Sequence, residues 1–258
     1  MENSADYNRK KSFFDKVLTV YGRKAVLETL QDNSLECHSL HLAHSNRESG
    51  IVAEIRQQAA RRGVPIKSHD REALSRISKN GRQDQGVAID IICPSFTTLE
   101  QFLALKSTQP RRVLALDGIT NPQNLGMIVR SAAAGAIDGI LLPRKGSAAL
   151  GPLVIKASAG TLYRAPLVLC SSLAAALASC QQHGGEVCTL ESDAPTSLFQ
   201  HNGRAFCVYV LGNETDGVSA QIRAMADTRL SIPMRNGVES LNVAVTASLI
   251  AYGTYLDR

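Results

Sequence analysis

Hydrophobic and polar positions in the first part of the chain form short helical and short strand-like runs. Helical spacing occurs at residues 24–30, 50–63 and 71–78, and strand-like runs at residues 38–43, 64–68 and 86–93. Apolar positions three or four residues apart form one face of a helix, and alternating positions form one face of a strand. The pattern predicts a small α/β domain over residues 16–93, after a flexible polar tail at residues 1–15.

The second part of the chain has longer and more apolar runs. Strands are predicted at residues 112–117, 139–143, 165–169, 186–190, 205–212 and 228–233, and helices at residues 124–135, 152–158, 171–183, 219–226 and 240–256. Unbroken apolar strands separated by helices are typical of a parallel sheet covered on both faces. Residues 111–258 are therefore predicted to form a larger α/β domain, joined to the first by a linker at residues 94–110.

Composition narrows the class of protein. Of the 258 residues, 44% are hydrophobic and 20% are charged, as in ordinary globular domains. No apolar run approaches the roughly 18–20 residues that a membrane-spanning helix needs, and the amino terminus lacks the apolar core of a signal peptide. We therefore expect a cytoplasmic protein that does not act in a membrane. Its net charge of +5 is compatible with a polyanionic partner but decides nothing alone.

Cysteine and histidine spacing predicts no metal site. The six cysteines form no C-x-x-C pair, and most lie in apolar runs, which indicates reduced, buried thiols. His38 and His41 would point to opposite faces of a predicted strand, so they could not share an ion. We expect these two residues and His44 to be solvated strand side chains.

Three predicted strands end in unusual polar or glycine-rich segments. These segments read DGITNPQNLG, LGNETDG and IPMRNGVESLN. Ligands of parallel sheets bind at the carboxyl ends of the strands, so the three segments predict one composite site. Neither G-x-G-x-x-G after the first strand nor G-x-x-x-x-G-K-[ST] is present, which argues against a conventional dinucleotide enzyme or P-loop nucleotidase.

Read together, these strand ends resemble a known family. NLGMIVR (124–130), LGNETDG (211–217) and the pair IPM (232–234) and SLNV (240–243) resemble, in order and spacing, the three motifs of the SpoU (TrmH-type) branch of the SPOUT RNA methyltransferases. KASAG (156–160) matches a segment that the family carries between its first two motifs. The front half, with YGRKAVLETL and QGVAIDI, resembles the substrate-binding domain of bacterial 23S rRNA guanosine 2′-O-methyltransferases, a small α/β RNA-binding domain resembling a ribosomal protein.

The resemblance implies a fold and a cofactor that periodicity does not give. It implies a parallel-sheet catalytic domain whose carboxyl-terminal segment forms a deep trefoil knot, a feature nearly absent from other proteins. It implies S-adenosylmethionine bound in that knot as methyl donor. It also implies a homodimer in which the active site is completed across the interface, with RNA as partner.

Residue roles follow from the same resemblance. It implies a catalytic set of Asn124, Arg130, Glu214, Ser240 and Asn242, and cofactor contacts from Leu211, Gly212, Ile232, Leu241 and Asn242. The residues themselves leave simpler readings open. Asn124 and Ser240 suit the N-caps of the two helices that follow them, and Arg130 could extend to solvent from a helix.

The predicted activity is methyl transfer from S-adenosylmethionine to a ribose 2′-hydroxyl of structured RNA, with a guanosine of 23S rRNA favoured. Alternatives are a tRNA ribose methyltransferase, a catalytically silent RNA-binding or ribosome assembly factor, and a nucleotide-binding enzyme on an unknotted sheet. Candidates for gripping RNA are the basic residues Arg23, Lys24, Arg61, Arg62, Arg76, Lys79 and Arg82, which could equally form a solvated face.

Overall fold

A computed structural model describes residues 13–256 of the chain. The chain divides into two compact units, one reaching to Pro94 and including Leu150–Pro152, the other made of Ser95–Ala149 and the chain from Leu153 onward. Within residues 13–256, no helix has the length and hydrophobicity to cross a bilayer.

From Val17 onward, the smaller unit is a four-stranded sheet with three helices. Its elements are β1 (Val17–Tyr21), α1 (Arg23–Gln31), β2 (Glu36–Ala43), α2 (Ile51–Arg61), β3 (Ile66–His69), α3 (Arg71–Ser78) and β4 (Val87–Ile92). The strand order is β1-β4-β2-β3, with β2 and β3 parallel and the other pairs antiparallel. Fully buried Leu40 and Ile89 face each other across β2 and β4, so the predicted apolar alternation forms the core of this unit.

Two of the predicted RNA-gripping arginines have structural partners in this unit. The Arg62 guanidinium donates to the carbonyl oxygens of Leu30 at 3.1 Å and Asp32 at 3.0 Å. These oxygens lie at the end of α1, where the last carbonyl groups of a helix have no N–H partner within the helix. Arg23 donates to the carbonyl oxygen of Gln85 at 3.3 Å and to Asn46 Oδ1 at 3.1 Å. These two arginines therefore stabilise local structure.

A histidine expected to be solvated is buried in the smaller unit. His41 is 5% exposed, and its Nε2 lies 3.0 Å from Asp90 Oδ2, so that expectation is wrong for His41. Thr19 donates a further bond of 2.7 Å to Asp90 Oδ1. Burial raises the pKa of Asp90, but the hydrogen bonds from His41 and Thr19 outweigh burial and leave it below its ordinary value.

The larger unit is an eight-stranded sheet with helices between its strands. Its elements are β5 (Thr97–Thr98), α4 (Leu99–Ala104), β6 (Arg111–Leu116), α5 (Pro122–Ala134), β7 (Gly139–Pro143), α6 (Pro152–Ala157), β8 (Leu167–Cys170), α7 (Leu173–Gln182), β9 (Glu186–Leu190), β10 (Thr196–Ser197), β11 (Phe206–Leu211), α8 (Ala220–Arg223), β12 (Thr228–Ser231) and α9 (Val243–Leu256). The order is β10-β12-β9-β11-β6-β7-β8-β5, and every pair is parallel.

The parallel sheet predicted from the sequence is confirmed. Its central strands β6, β7 and β11 are buried along almost their whole length, which explains their unbroken apolar runs. The edge strands β5 and β10 have two residues each and show no periodicity, so the sequence did not reveal them. The segment expected as a linker contains β5 and α4, both part of this unit. The trefoil knot stays a prediction.

Candidate active site

A cavity of about 600 Å³ opens at the carboxyl ends of the strands in the larger unit. Its walls are the segment after β9, the end of β11 with the loop that follows, and the segment between β12 and α9. Binding sites for drug-sized molecules have volumes of roughly 300–1,000 Å³, so the cavity could hold one such ligand. Its position is the one that parallel sheets generally use for binding.

Hydrogen bonds join the ends of the neighbouring strands β6 and β11. Asn213 donates from Nδ2 to the carbonyl oxygen of Gly118 at 2.8 Å and accepts at Oδ1 from the Thr215 backbone N–H at 2.8 Å. The Ser219 backbone N–H donates to Asp117 Oδ2 at 2.7 Å. Asp117 and Asn213 therefore tie the loop 212–219 to the segment that follows β6 and leads to the first motif.

Three polar side chains connect the three motifs. Asn124 on α5 donates from Nδ2 to Glu214 Oε1, in the loop after β11. Asn242 donates from its own Nδ2 to Asn124 Oδ1 at 3.1 Å. Asn124 is 7% exposed, so its amide is held between these two partners. In the sequence, Asn124 lies 118 positions from Asn242 and 90 positions from Glu214. In the structure, the three side chains form one hydrogen-bonded chain at the cavity.

The helix caps differ from those predicted. Helix α5 begins at Pro122, and Asn121 caps it by accepting from the Gln123 backbone N–H at 2.9 Å, so Asn124 lies inside the first turn. Proline suits the first helical position because its fixed φ is helical and no N–H is lost there. Helix α9 begins at Val243, and Asn242 accepts from the Ala244 backbone N–H at 2.9 Å. The expectations that Asn124 and Ser240 are N-caps are wrong.

Gly212 follows β11 where two backbone segments meet. A Cβ on Gly212 would lie 2.1 Å from the Gly217 carbonyl carbon and 2.2 Å from the Val218 nitrogen. Backbone atoms cannot move aside as a flexible side chain can, so a larger residue would push the loop 212–219 away from the strand. The glycine therefore shapes the cavity wall.

Most of the residues predicted for the site lie together at this cavity. Its lining includes Leu211, Gly212, Glu214, Ile232, Ser240, Leu241 and Asn242. Asn124 is hydrogen-bonded to two of them. The strand-end argument therefore located this surface, whereas the role of each residue stays a prediction.

Arg130 does not join this group. It is exposed on α5, two turns beyond Asn124, and is absent from the cavity lining. Across residues 13–256, the Arg130 guanidinium makes neither a hydrogen bond nor an ion pair. Asn124 and Arg130 lie six positions apart on α5, and their side chains occupy different faces of the helix.

The sequence reading missed two acids that line the cavity, Glu191 and Asp193. Both follow β9, which lies between β11 and β12 in the sheet. Glu191 accepts from Arg229 Nε at 3.0 Å and from Thr189 Oγ1 at 2.7 Å, and it forms an ion pair with Arg223, whose Nε lies 3.3 Å from Oε2. The polar residues directly after the predicted strand at 186–190 were the available signal, since the strand-end rule applies to them equally.

Arg229 also stabilises the charged form of Asp193. Arg229 donates to Asp193 Oδ1 at 2.8 Å. This hydrogen bond and the charge of Arg229 hold the pKa of Asp193 below its usual range, and the two acids raise the pKa of Arg229 in return. This wall of the cavity therefore carries acids that are already paired with arginines.

Comparison with known proteins agrees with this arrangement of motifs. The model of the SpoU rRNA methylase family matches residues 111–252, and a model described as RNA 2′-O ribose methyltransferase substrate binding matches residues 19–95. The chain belongs to the SpoU family. The family predicted from the three motifs is confirmed, and the chain is accordingly an RNA methyltransferase whose methyl donor is S-adenosylmethionine.

Individual relatives show the same similarity over most of the chain. A protein of Mycolicibacterium vanbaalenii, named an uncharacterized tRNA/rRNA methyltransferase, is 34% identical over 238 residues, covering 92% of this chain and 75% of its own. A solved structure from Porphyromonas gingivalis, assigned to the TrmH family, is 26% identical with a TM-score of 0.60, covering 95% of this chain and 92% of its own. The SpoU methyltransferase AviRb from Streptomyces viridochromogenes, solved with AdoMet, has a TM-score of 0.63 at 19% identity, covers 94% of this chain and 91% of its own, and shares the fold.

Proposed function

We propose that this SpoU enzyme methylates a ribose 2′-hydroxyl of structured RNA, with a guanosine of 23S rRNA as target. The observation that carries the proposal is the cavity at the carboxyl ends of β9 and β11, which brings together residues from the second and third motifs and contacts the first through Asn124. A substrate-binding module of the 2′-O ribose type at residues 19–95 supports ribose as the acceptor.

The donor would lie in this cavity against the backbone of the second and third motifs. Leu211 ends β11 and Gly212 follows it, and Ile232 and Leu241 also line the cavity. The apolar side chains would cover the adenine faces, while main-chain N–H and C=O groups read its polar edge. Glu214, held by Asn124, would keep its loop closed against the donor.

Arg130 is proposed to act on the acceptor. The 2′-hydroxyl must lose its proton as it attacks the sulfonium methyl. A role as general base requires a neutral guanidinium, and lowering an arginine pKa from about 12.5–13.8 to about 8 would cost roughly 6–8 kcal/mol. Arginine stays protonated in proteins. We therefore infer that Arg130 orients the ribose and its phosphate and stabilises the developing alkoxide by charge-assisted hydrogen bonds.

A second copy of the chain is proposed to complete the site. Arg130 is exposed and does not line the cavity of its own chain, and large apolar side chains on the two helices that pack together, α5 and α9, are exposed. These side chains are Met127, Val245, Tyr252 and Tyr255. In a homodimer they would be covered, and Arg130 of one protomer would serve the cavity of its partner.

Mixing two impaired variants tests this arrangement. If Arg130 acts across the interface, Arg130→Ala and Glu214→Ala chains refolded together regain activity, because a heterodimer has one cavity with both intact residues. If Arg130 acts within its own chain, no heterodimer has an intact site and the mixture is no more active than the two variants measured separately. A sedimentation experiment that finds only monomer would reject the dimer itself.

RNA is proposed to lie along the exposed basic residues of the smaller unit. With Arg23 and Arg62 bonded to backbone and amide oxygens, the remaining candidates are the exposed residues Lys24, Arg61, Arg76, Lys79 and Arg82. Lys and Arg bind RNA through phosphates, which gives affinity without sequence preference. This arrangement supports RNA binding and does not favour rRNA over tRNA.

The deciding experiment uses labelled S-adenosylmethionine with total rRNA and total tRNA, followed by mapping of the modified nucleotide. The proposal expects label on a ribose of a guanosine in 23S rRNA. Label on tRNA would reject the rRNA target and keep the ribose chemistry. Label on a base would reject the ribose chemistry, and donor binding without transfer to any RNA would favour a silent RNA-binding factor.

A further inference from the structure

Metal-ligating side chains cluster at the amino end of the larger sheet, away from the cavity. Glu186 and Cys188 lie on β9, and Cys207 lies on β11 opposite Glu186 in the parallel register. Residues directly opposite one another, and those two positions along a strand, share a face of the sheet. His201 comes from the segment just before β11 and reaches the same face.

Short distances bring these four side chains into one group. His201 Nε2 lies 3.0 Å from Glu186 Oε1 and 4.0 Å from Cys188 Sγ. One ligand atom from each of these three residues lies within 4.8 Å of the other two. Cys207 Sγ lies 3.9 Å from Glu186 Oε2. Cys188 and Cys207 are buried, and the side chains of His201 and Glu186 are 7% and 10% exposed.

We propose that Glu186, Cys188, His201 and Cys207 form a binding site for a zinc ion. Two sulfurs, one imidazole nitrogen and one carboxylate oxygen form a borderline-soft set that suits zinc and excludes magnesium or calcium. Cysteine spacing alone gave no zinc pattern, since Cys188 and Cys207 come together only through the pairing of β9 with β11.

The spacing of Glu186, Cys188 and His201 fits a tetrahedral ion after small shifts, whereas the Cys207 side chain, whose Sγ lies 3.1 Å from the Arg204 carbonyl oxygen, must turn toward them. Zinc bonds of about 2.3 Å to sulfur and about 2.0 Å to nitrogen or oxygen place tetrahedral ligand atoms roughly 3.3–3.8 Å apart. The separation of 4.0 Å between Cys188 Sγ and His201 Nε2 is slightly long, and the 3.0 Å between His201 Nε2 and Glu186 Oε1 is slightly short. Side-chain rotations of a few tenths of an ångström would correct both distances.

Hydrogen bonding explains only part of the arrangement. Nδ1 of His201 is buried and has no hydrogen-bond partner among the described residues. The ring is held by packing, edge-on to Tyr209 with centroids 6.3 Å apart. A Cβ on Gly203 would lie 2.4 Å from Cys207 Sγ and 2.7 Å from His201 Cε1, so the chain passes closely over the cluster at that glycine. The nitrogen that faces Glu186 and Cys188 is Nε2, so Nε2 is the ring atom available to an ion.

The site would be structural. Glu186 begins β9 and Leu190 ends it at the cavity, and five residues of strand separate the two ends by roughly 13 Å. Binding would exchange thiol protons for the ion: each bound sulfur releases its proton to solvent, and His201 binds through the lone pair of Nε2. The ion would then tie the segment 201–204 to β9 and β11.

Zinc and cobalt titration of the full-length protein, first stripped with a chelator, tests the proposal. We expect one ion per chain by elemental analysis, a cobalt–thiolate charge-transfer band, and a higher Tm in the zinc-loaded protein than in the stripped protein. Cys188→Ser and His201→Gln should each weaken zinc binding by at least about 10-fold, and zinc should no longer raise their Tm. Cys93→Ser and Cys180→Ser remove buried thiols elsewhere and should bind zinc as the unsubstituted chain does.

Three results would overturn the site. They are no stoichiometric ion in the stripped and reloaded protein, zinc binding that both His201→Gln and Cys188→Ser leave unchanged, and a Cys188–Cys207 disulfide in place of metal binding. If Cys188→Ser fails to fold, His201→Gln and the cobalt spectrum of the unsubstituted chain still decide the question. Methyl transfer is not needed as a readout.

Discussion

The two ends of the larger sheet each hold a glutamate, and the surroundings of the two glutamates are opposite. At the carboxyl end, Glu214 is exposed at a cavity and accepts a hydrogen bond from Asn124. At the amino end, Glu186 is buried and accepts hydrogen bonds from Thr228 Oγ1 at 2.7 Å, from the Arg204 backbone N–H at 2.9 Å and from His201 at 3.0 Å. The Glu214 carboxylate is exposed to solvent, and the Glu186 carboxylate is enclosed within the protein.

The electrostatics follow the same division. Burial raises the pKa of Glu186, but the hydrogen bonds from Thr228, the Arg204 backbone and His201 outweigh burial and lower it to about 2. Asp193, at the carboxyl end, has its pKa lowered mainly by the exposed cation of Arg229. The comparison teaches that substitutions at the carboxyl end should change catalysis, whereas substitutions at the amino end should change stability.

The largest expected effect is at Arg130. Arg130→Ala should lower the rate of methyl transfer by at least about 10³-fold, because the developing alkoxide loses its cation, while donor affinity changes less than about twofold. Arg130→Lys keeps the charge but lacks the planar fork, and we expect little rescue. Single-turnover methylation and calorimetric donor binding measure the two quantities. Substantial activity in either variant would contradict the role of Arg130.

Glu214→Ala tests the exposed carboxylate at the cavity. The change leaves the Asn124 amide without its acceptor and frees the loop 212–219, so we expect methyl transfer to fall by about 10–100-fold. Because Glu214 is exposed, the free energy of unfolding should change by less than about 0.5 kcal/mol. Glu100→Ala, an exposed acid on α4, is the matched control and should change neither quantity. A large loss of stability in Glu214→Ala would break the contrast between the two ends.

Thr228→Val tests the buried carboxylate of Glu186. It removes the shortest hydrogen bond to Glu186 with little change of shape, so the free energy of unfolding should fall by about 1–2 kcal/mol. Methyl transfer well below Tm should stay within about twofold of normal. Urea denaturation and the methylation assay measure these effects, with the exposed Thr108→Val as control. If activity fell as far as it does in Glu214→Ala, the amino end would not be purely structural.

The smallest expected effect concerns pH at Asp193. Its folded pKa is lowered, so the Arg229–Asp193 pair contributes fully above the unfolded pKa of about 3.9, and this contribution is lost as pH falls through the folded value. The pair is solvent-exposed, so high salt should move the pKa of Asp193 back toward its ordinary value. Arg229→Gln should do the same at low salt. NMR titration of the Asp193 carboxyl checks both, and a pKa that responds to neither change would refute the pairing.

Part of the site could be predicted from the sequence because the carboxyl ends of parallel strands lie along the same edge of a sheet. The apolar runs determined β6, β9, β11 and β12, and the polar segments after three of them led to Glu214, Leu241 and Asn242. The same rule applied to the residues after β9 would have found Glu191 and Asp193. The sequence did not determine which residue caps α5, because asparagines occur at both 121 and 124. The helix begins at Pro122, and this makes Asn121 the capping residue.

The sequence by itself determined the parallel sheet, the two units that the apolar periodicity marks, and the family, because all three are encoded in local patterns and in motif order. Only the tertiary structure decided which side chains meet. Asn124, Glu214 and Asn242 join through hydrogen bonds, Arg130 faces away from them, and Cys188 and Cys207 meet across two paired strands. Such contacts depend on strand order and register, which set the distances between residues remote in sequence and leave no local pattern.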